Sequence, residues 1–298
     1  MKLLITGSSG LLGSKLVEAA KNSYEVISTY GTRPLFPNST KMDITDKSRV
    51  LRIMHKFKPD VVIHAAAETD VDKCELDKAR AWKVNANGTR NIADACTKLG
   101  AKLIYVSTDY VFDGEKGLYS EEDEPKPVNY YGLTKLEGEK HTAKLDKHLI
   151  VRASVLYGRH PWKKNFATWV LDSLKQKKRI NVVDDHYNSP TLADNLAELI
   201  LEAIEKDLIG LYHTAGRERI SRFGFARWIA KAFDLDSELI KPIKMAELKT
   251  WVARRPRDSS LRVNKIQKKL KTKLLNVSES LNLMKEQTPF FNRLMRNT

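Results

Sequence analysis

The stretch Lys2-Leu3-Leu4-Ile5-Thr6-Gly7-Ser8-Ser9-Gly10-Leu11-Leu12-Gly13 decides the fold. Its first residues, Leu3 to Thr6, read as a buried β-strand, and Leu11 to Lys21 reads as an amphipathic helix. Between them stand three glycines at Gly-x-x-Gly-x-x-Gly spacing. They let the chain turn sharply and let backbone amides approach a pyrophosphate at the helix N-terminus. Turns also use glycine, so the motif gains its weight from its place after the first strand of an alternating chain. In that place Gly7, Gly10, Leu11, Leu12 and Gly13 are expected to hold a dinucleotide.

The alternation continues outward from this loop. Glu25 to Thr29 reads as a second strand, and Thr45 or Asp46 can cap a helix through Val50, Ile53 and Phe57. Val61 to His64 is a third strand, Lys78 to about Leu99 a long helical stretch, and Lys102 to Val106 the next strand. A helix follows from Tyr131 toward Leu145, then a strand from Leu149 to Arg152. Strands spaced by helices pair in parallel through right-handed crossovers, which makes the fold class α/β with a Rossmann-type doubly wound parallel sheet. The second half is less regular. Phe166 to Lys175, Leu192 to Glu205 and Phe223 to Phe233 look helical, and Leu211 to His213 looks like a strand. The expected organisation is an NAD(P)-binding domain over residues 1–155, with returning segments near 181–205. Residues 156–180 and 206–282 would form a smaller, partly discontinuous substrate-binding lobe, and 283–298 a C-terminal tail.

The 298 residues are ordinary in composition for a soluble globular chain, and no apolar run approaches the roughly 20 residues that span a bilayer. Cys74 and Cys96, the only cysteines, fall in helical patterns rather than in a disulfide framework. With no signal-peptide architecture at the start, the expected location is the cytoplasm. The formal net charge of +15 is concentrated after Met245, in runs such as Arg254-Arg255-Pro256-Arg257. No helix-turn-helix, zinc ligand set or aromatic RNA-binding signature goes with it, so nucleic acid is not an expected partner, nor is a membrane. A solvated basic face accounts for most of the surplus, and an anionic nucleotide and a phosphorylated cofactor can use part of it.

Cofactor preference turns on the end of the second strand. A carboxylate there would bind the adenosine ribose of NAD, but the segment is Thr29-Tyr30-Gly31-Thr32-Arg33. Arg33 can pair with a 2′-phosphate, so NADPH is the expected cofactor, with NADH left open. The plain alternative is a cation pointing to solvent. Asp43 and Ile44 can flank the adenine, although an aspartate here can also simply begin a helix. Ala65, Ala66 and Ala67 put small side chains at a strand end, where a cofactor, or just a helix, can pack closely.

The chemistry is expected at Tyr131 and Lys135, one helical turn apart on the same face. A cation held against a phenol favours the phenolate and draws its pKa toward the operating range. Before the pair comes Tyr105-Val106-Ser107-Thr108-Asp109-Tyr110-Val111-Phe112-Asp113-Gly114, a buried strand running into a hydroxyl. Nucleotide loop, hydroxyl and Tyr/Lys pair, in that order, form a reductase constellation.

These motifs together resemble the extended short-chain dehydrogenase/reductase family, in its dTDP-4-dehydrorhamnose reductase branch. Further segments carry the likeness over nearly the whole chain: Val71-Asp72-Lys73, Arg152-Ala153-Ser154, Asn165-Phe166-Ala167, Asp185-His186-Tyr187-Asn188-Ser189-Pro190-Thr191, Gly210-Leu211-Tyr212-His213 and Arg255-Pro256-Arg257-Asp258-Ser259-Ser260-Leu261. The resemblance implies NADPH-dependent reduction of a 4-keto nucleotide sugar, dTDP-4-dehydro-L-rhamnose to dTDP-L-rhamnose, by a homodimer. It gives Tyr131 the role of proton donor. Lys135 would hold the nicotinamide ribose and tune the tyrosine, and Thr108 would bond the substrate carbonyl oxygen. Thr108, Asp109, Asn165 and Arg255 would contact substrate. Asn85 is left between support of a proton relay and a structural amide.

Two departures stand out. Ser154-Val155-Leu156 replaces a stretch that carries an aromatic residue near the sugar in well-known members, which leaves the sugar's identity open. Lys15 stands where some members have a glutamate for an interface metal, so no metal is expected. Sugar-nucleotide dehydratases and epimerases share the fold. The dehydratases usually follow the central Thr-Asp with a glutamate, where this chain has Tyr110. The regulatory β subunit of methionine adenosyltransferase is also similar, with nearly the same Tyr-x-x-x-Lys segment. On that reading the partner is the catalytic synthetase subunit.

Overall fold

The computed structural model describes residues 1–287. Seven strands form one parallel sheet: β1 (Lys2–Thr6), β2 (Glu25–Tyr30), β3 (Thr40–Lys41), β4 (Val61–His64), β5 (Lys102–Thr108), β6 (His148–Ala153) and β7 (Gly210–His213). Their spatial order is 3-2-1-4-5-6-7, so the direction of winding reverses between β1 and β4. Clefts at such reversals, outside the carboxyl ends of the strands, are where doubly wound sheets bind ligands. All of β4 is buried, as expected for a strand covered on both faces.

Among the described residues eight longer helices accompany the strands: α1 (Leu11–Ala20), α2 (Lys47–Phe57), α3 (Gly88–Leu99), α4 (Tyr130–Thr142), α5 (Phe166–Lys175), α6 (Ala193–Glu205), α7 (Arg222–Ala232) and α8 (Val277–Glu286). Successive strand residues point to opposite faces and separate the two cores. Leu3 and Ile5 pack with Leu16 of α1 and with Leu196 and Ile200 of α6 on one face. Leu4 packs with Val50 and Met54 of α2 and Ile92 of α3 on the other. Cys74 and Cys96 are both buried free thiols.

A third core belongs to the smaller lobe. There Val170 and Leu171 of α5, Phe225 and Ile229 of α7, and Leu281 and Met284 of α8 enclose Tyr157 and Ile240. A parallel two-stranded ribbon joins Ile180–Val183 to Ile240–Ile243 in this lobe. The chain therefore returns to the main body at α6 rather than near residue 181. Gly210–His213, assigned to the lobe from sequence, instead pairs with β6 as the seventh strand. A short apolar strand carries no local sign of which sheet it will join. The boundary expected at residue 283 cuts through α8, whose Met284 is fully buried. The rest of the expected tail, 288–298, lies outside the described residues.

The long helical stretch before β5 is continuous but not uniform. Lys78–Ala81 is α-helical, Trp82–Asn87 is a π-helical segment, and α3 follows directly. Such π segments insert an extra residue per turn and re-aim side chains, here Asn85. Among the described residues no helix is long and apolar enough to cross a membrane.

Candidate active site

The carboxyl ends of β1, β4 and β5 open into a cavity of about 990 Å³, walled on the far side by the lobe. The glycine loop forms its floor. Gly7 adopts φ +67°, and a Cβ added there would lie 2.8 Å from the Ala66 Cα. A Cβ on Gly13 would lie 2.1 Å from the Gly7 carbonyl oxygen. A side chain on Gly7 would strike the backbone after β4 and one on Gly13 would push α1 off the loop, so the sequence permits this close approach only through glycine. Gly7, Gly10, Leu11, Leu12, Gly13 and Ala65 to Ala67 all line the cavity, as do Asp43 and Ile44.

Polar bonds hold the ends of β1 and β4 in register. The Thr6 hydroxyl meets His64 Nδ1 at 2.7 Å and accepts the Ala66 N–H at 3.1 Å. His64 Nε2 is 3.1 Å from the Thr89 hydroxyl. Burial pushes the His64 pKa down to about 3, and the Lys135 charge acts in the same direction. At Asp43, hydrogen bonds from Thr45 and the charges of Lys83 and Arg49 outweigh burial and keep its carboxyl below the ordinary range.

Arg33 does not line this cavity. Its guanidinium lies over the ring of Trp162, a residue of the loop leading into the lobe, 4.3 Å from the ring centroid. Lys41, Arg49, Arg80 and Lys83 supply cations along the same wall, and sequence reasoning had not singled them out.

The reactive end of the cavity holds Thr108, Asp109, Tyr110, Tyr131 and Lys135. Asn129 fixes the start of α4, accepting the Gly132 N–H at 2.8 Å and donating to the Arg254 carbonyl at 2.9 Å. Lys135 then points at β5, donating to the Val106 carbonyl at 2.7 Å with its ammonium 4.1 Å from the Tyr105 ring centroid. Burial lowers the Lys135 pKa to about 7, with Glu139 opposing it. The Tyr131 phenol is pushed well above its ordinary value by burial, with a hydrogen bond to Thr108 opposing that shift. This corrects the expectation that Lys135 draws the phenol down. Desolvation dominates at the phenol, and the ammonium is engaged with the Val106 carbonyl.

Asp109 is a buried anchor rather than a free carboxylate. Its oxygens accept the hydroxyls of Thr108 at 3.0 Å, Ser154 at 2.8 Å and Ser259 at 2.6 Å. Burial raises its pKa against these bonds. Asn85 also has both side-chain groups occupied. Its amide donates to the Glu68 carbonyl and to the Thr134 hydroxyl, and its oxygen accepts the Glu68 N–H. This geometry favours the structural amide.

Asn165 reaches the cavity wall but caps α5. Its oxygen accepts the Thr168 N–H at 3.3 Å and its amide donates to the Gly158 carbonyl at 2.8 Å. Arg255 does not line the cavity. Two bonds, of 2.8 and 3.0 Å, tie its guanidinium to Asp72. The lobe side of the wall carries Lys163, Lys164 and Arg222, the last at the first position of α7, and sequence reasoning missed Arg222. Lys15, at the position considered for a metal, pairs with Asp194 at 3.2 Å and Glu18 at 3.4 Å.

Comparison with known proteins fits this architecture. The family model described as the RmlD substrate binding domain matches residues 1–289. A dTDP-4-dehydrorhamnose reductase of Aggregatibacter actinomycetemcomitans is 34% identical over 281 residues, covering 89% of this chain and 92% of that protein. The methionine adenosyltransferase 2 subunit beta of Pongo abelii is 33% identical over 277 residues, covering 89% and 81%. The crystal structure of dTDP-4-dehydrorhamnose reductase from Bacillus anthracis in complex with NADP superposes with a TM-score of 0.88. It is 32% identical and covers 96% of this chain and 99% of that one. The chain belongs to the RmlD substrate-binding-domain family.

Proposed function

We propose that this protein is an NADPH-dependent reductase of 4-keto nucleotide sugars, with dTDP-4-dehydro-L-rhamnose to dTDP-L-rhamnose as the leading reaction. The observation that carries the reading is a single cleft that joins the glycine loop to Thr108, Tyr131 and Lys135. A relative of this family holds NADP, which supports the cofactor. The residues present fit that group: Gly7 and Gly13, where any Cβ would strike backbone, let the glycine loop and the start of α1 close tightly at the cleft floor, and Ala65 to Ala67 keep the adjoining wall low. The nicotinamide cofactor supplies the hydride when bound.

The chain's own residues do the rest. Tyr131, kept protonated by burial, is a ready proton donor to the alkoxide oxygen formed from a reduced carbonyl. The Thr108 hydroxyl, whose proton goes to Asp109 here, would turn that proton to the same oxygen and stabilise the negative charge that develops on it. Lys135 would hold the cofactor's ribose hydroxyls, and its charge beside the phenol would favour proton release. Ser259 and Ser154 fix Asp109, which in turn orients Thr108.

The deciding experiment mixes purified protein and NADPH with dTDP-, UDP- and GDP-linked 4-keto sugars and follows loss of NADPH absorbance. Turnover with at least one of them supports the reading, and the preferred nucleotide identifies the substrate. A second reading, a regulatory subunit of methionine adenosyltransferase, is favoured by a relative of that name at 33% identity. It requires tight NADPH binding without turnover, together with co-purification with the catalytic synthetase subunit.

A further inference from the structure

Arg222 is a cation in search of a counter-charge. It opens α7, with its backbone N–H donating to the His186 carbonyl at 2.9 Å, and its side chain lines the cavity on the side opposite the glycine loop. The guanidinium interacts with the Tyr110 hydroxyl and sits 4.9 Å from the centroid of the Phe166 ring. Among the described residues it forms no direct salt bridge. Asp109 acts on it only through space, and the carboxyl oxygens there are committed to three hydroxyls. Arg255, which also acts on it, is by contrast neutralised by its two bonds to Asp72. Burial depresses the Arg222 pKa, Tyr110 and Asp109 oppose that shift, and the neighbouring Arg255 charge adds to it. A partly buried guanidinium that lines a cleft without a carboxylate of its own is a natural partner for a multivalent oxyanion of matching fork geometry.

We propose that Arg222 anchors the diphosphate of the nucleotide-linked substrate from the lobe side of the cleft. The Tyr110 ring stands edge-on to the Tyr131 ring at 6.0 Å between centroids, and the same tyrosine interacts with the guanidinium. A sugar whose C4 carbonyl meets Tyr131 would then present its C1 phosphate toward Arg222. Tyr110 takes part by fixing the guanidinium's direction, so its hydroxyl serves as a positioning group. The assignment rests on reading the cleft as a nucleotide-sugar site.

The test uses the full chain saturated with NADP and measures calorimetric affinity for thymidine, uridine and guanosine 5′-diphosphates and for the corresponding nucleosides. Arg222→Met is expected to weaken the preferred diphosphate by about 10- to 100-fold, the range of a charge-assisted hydrogen-bond pair, with nucleoside and NADP affinities unchanged. Arg222→Lys, which keeps the charge but loses the fork, should fall between the two. An Arg222→Met protein that binds the diphosphate as tightly as the parent overturns the proposal and leaves the reductase reading standing. A parent protein that binds none of the three diphosphates overturns both. If Arg222→Met also loses NADP binding, Arg222→Lys decides. With NADP affinity intact, a loss of diphosphate affinity of about 10-fold supports the anchor, and parental affinity overturns it.

Discussion

The guanidinium of Arg33 rests on the ring of Trp162, joining the loop after β2 to the loop that leads into the lobe. Trp162 is 37% exposed, and a cation–π contact at so open a place is worth about 0.5–1 kcal/mol. A 2′-phosphate offers a stronger partner through charge-assisted hydrogen bonds. Arg33→Ala is therefore expected to weaken NADPH binding by roughly 10-fold while leaving NADH binding nearly unchanged. Fluorescence titration with both cofactors checks this, and equal losses would reject Arg33 as the phosphate partner.

Tyr131→Phe keeps the ring but removes the transferable proton. Positioned acid–base groups contribute about 10²- to 10⁴-fold, so kcat should fall by that order with NADPH affinity unaltered. Thr108→Val removes one neutral hydrogen bond and should lower kcat less. Full reductase activity in Tyr131→Phe would refute the assignment.

Lys135 gives a pH signature in the cofactor-free protein. Its folded-state pKa of about 7 lies below the ordinary 10.5, so between those values the folded chain binds fewer protons than the unfolded one. Its contribution to stability therefore rises with pH across that window and is lowest below about pH 7. Thermal melts of Lys135→Met against the parent should favour the variant at pH 6 and turn toward the parent by pH 10. A difference constant with pH would show that Lys135 titrates normally.

Glu139 and Arg152 form a buried fork, with bonds of 2.9 and 2.7 Å and side chains only 6% and 4% exposed. The Ser107 hydroxyl also donates to Glu139. Arg152→Met leaves the carboxylate buried without its partner and should cost about 3–5 kcal/mol in denaturant unfolding. A loss below about 1 kcal/mol, the value of an exposed pair, would mean that water reaches the site.

What the sequence made legible was whatever local pattern controls. The glycine loop, the Tyr131–Lys135 spacing and α5 from Phe166 to Lys175 all follow from neighbours within a turn or a strand. Arg222 was hidden because it comes to Tyr110 only when the lobe folds back over the sheet, and nothing next to it in sequence differs from any helix start. Arg255 misled for the opposite reason. It sits in a motif with the right charge, yet Asp72, distant in sequence, claims its guanidinium. The π-helical turn at Trp82–Asn87 likewise leaves a helical hydrophobic pattern unchanged while shifting where Asn85 points.

The cleft lining counts among its residues Lys41, Arg49, Arg80, Lys83, Lys163, Lys164 and Arg222, against the carboxylates of Asp43 and Asp109. Positive charge gathered in a low-dielectric concavity focuses field lines outward, so polyanions arrive faster than diffusion to a neutral target allows. The surplus of +15 thus becomes a matter of encounter rate as well as of solubility. Stopped-flow association of NADPH should slow steeply as ionic strength rises and the Debye length shrinks below about 10 Å, while dissociation changes little.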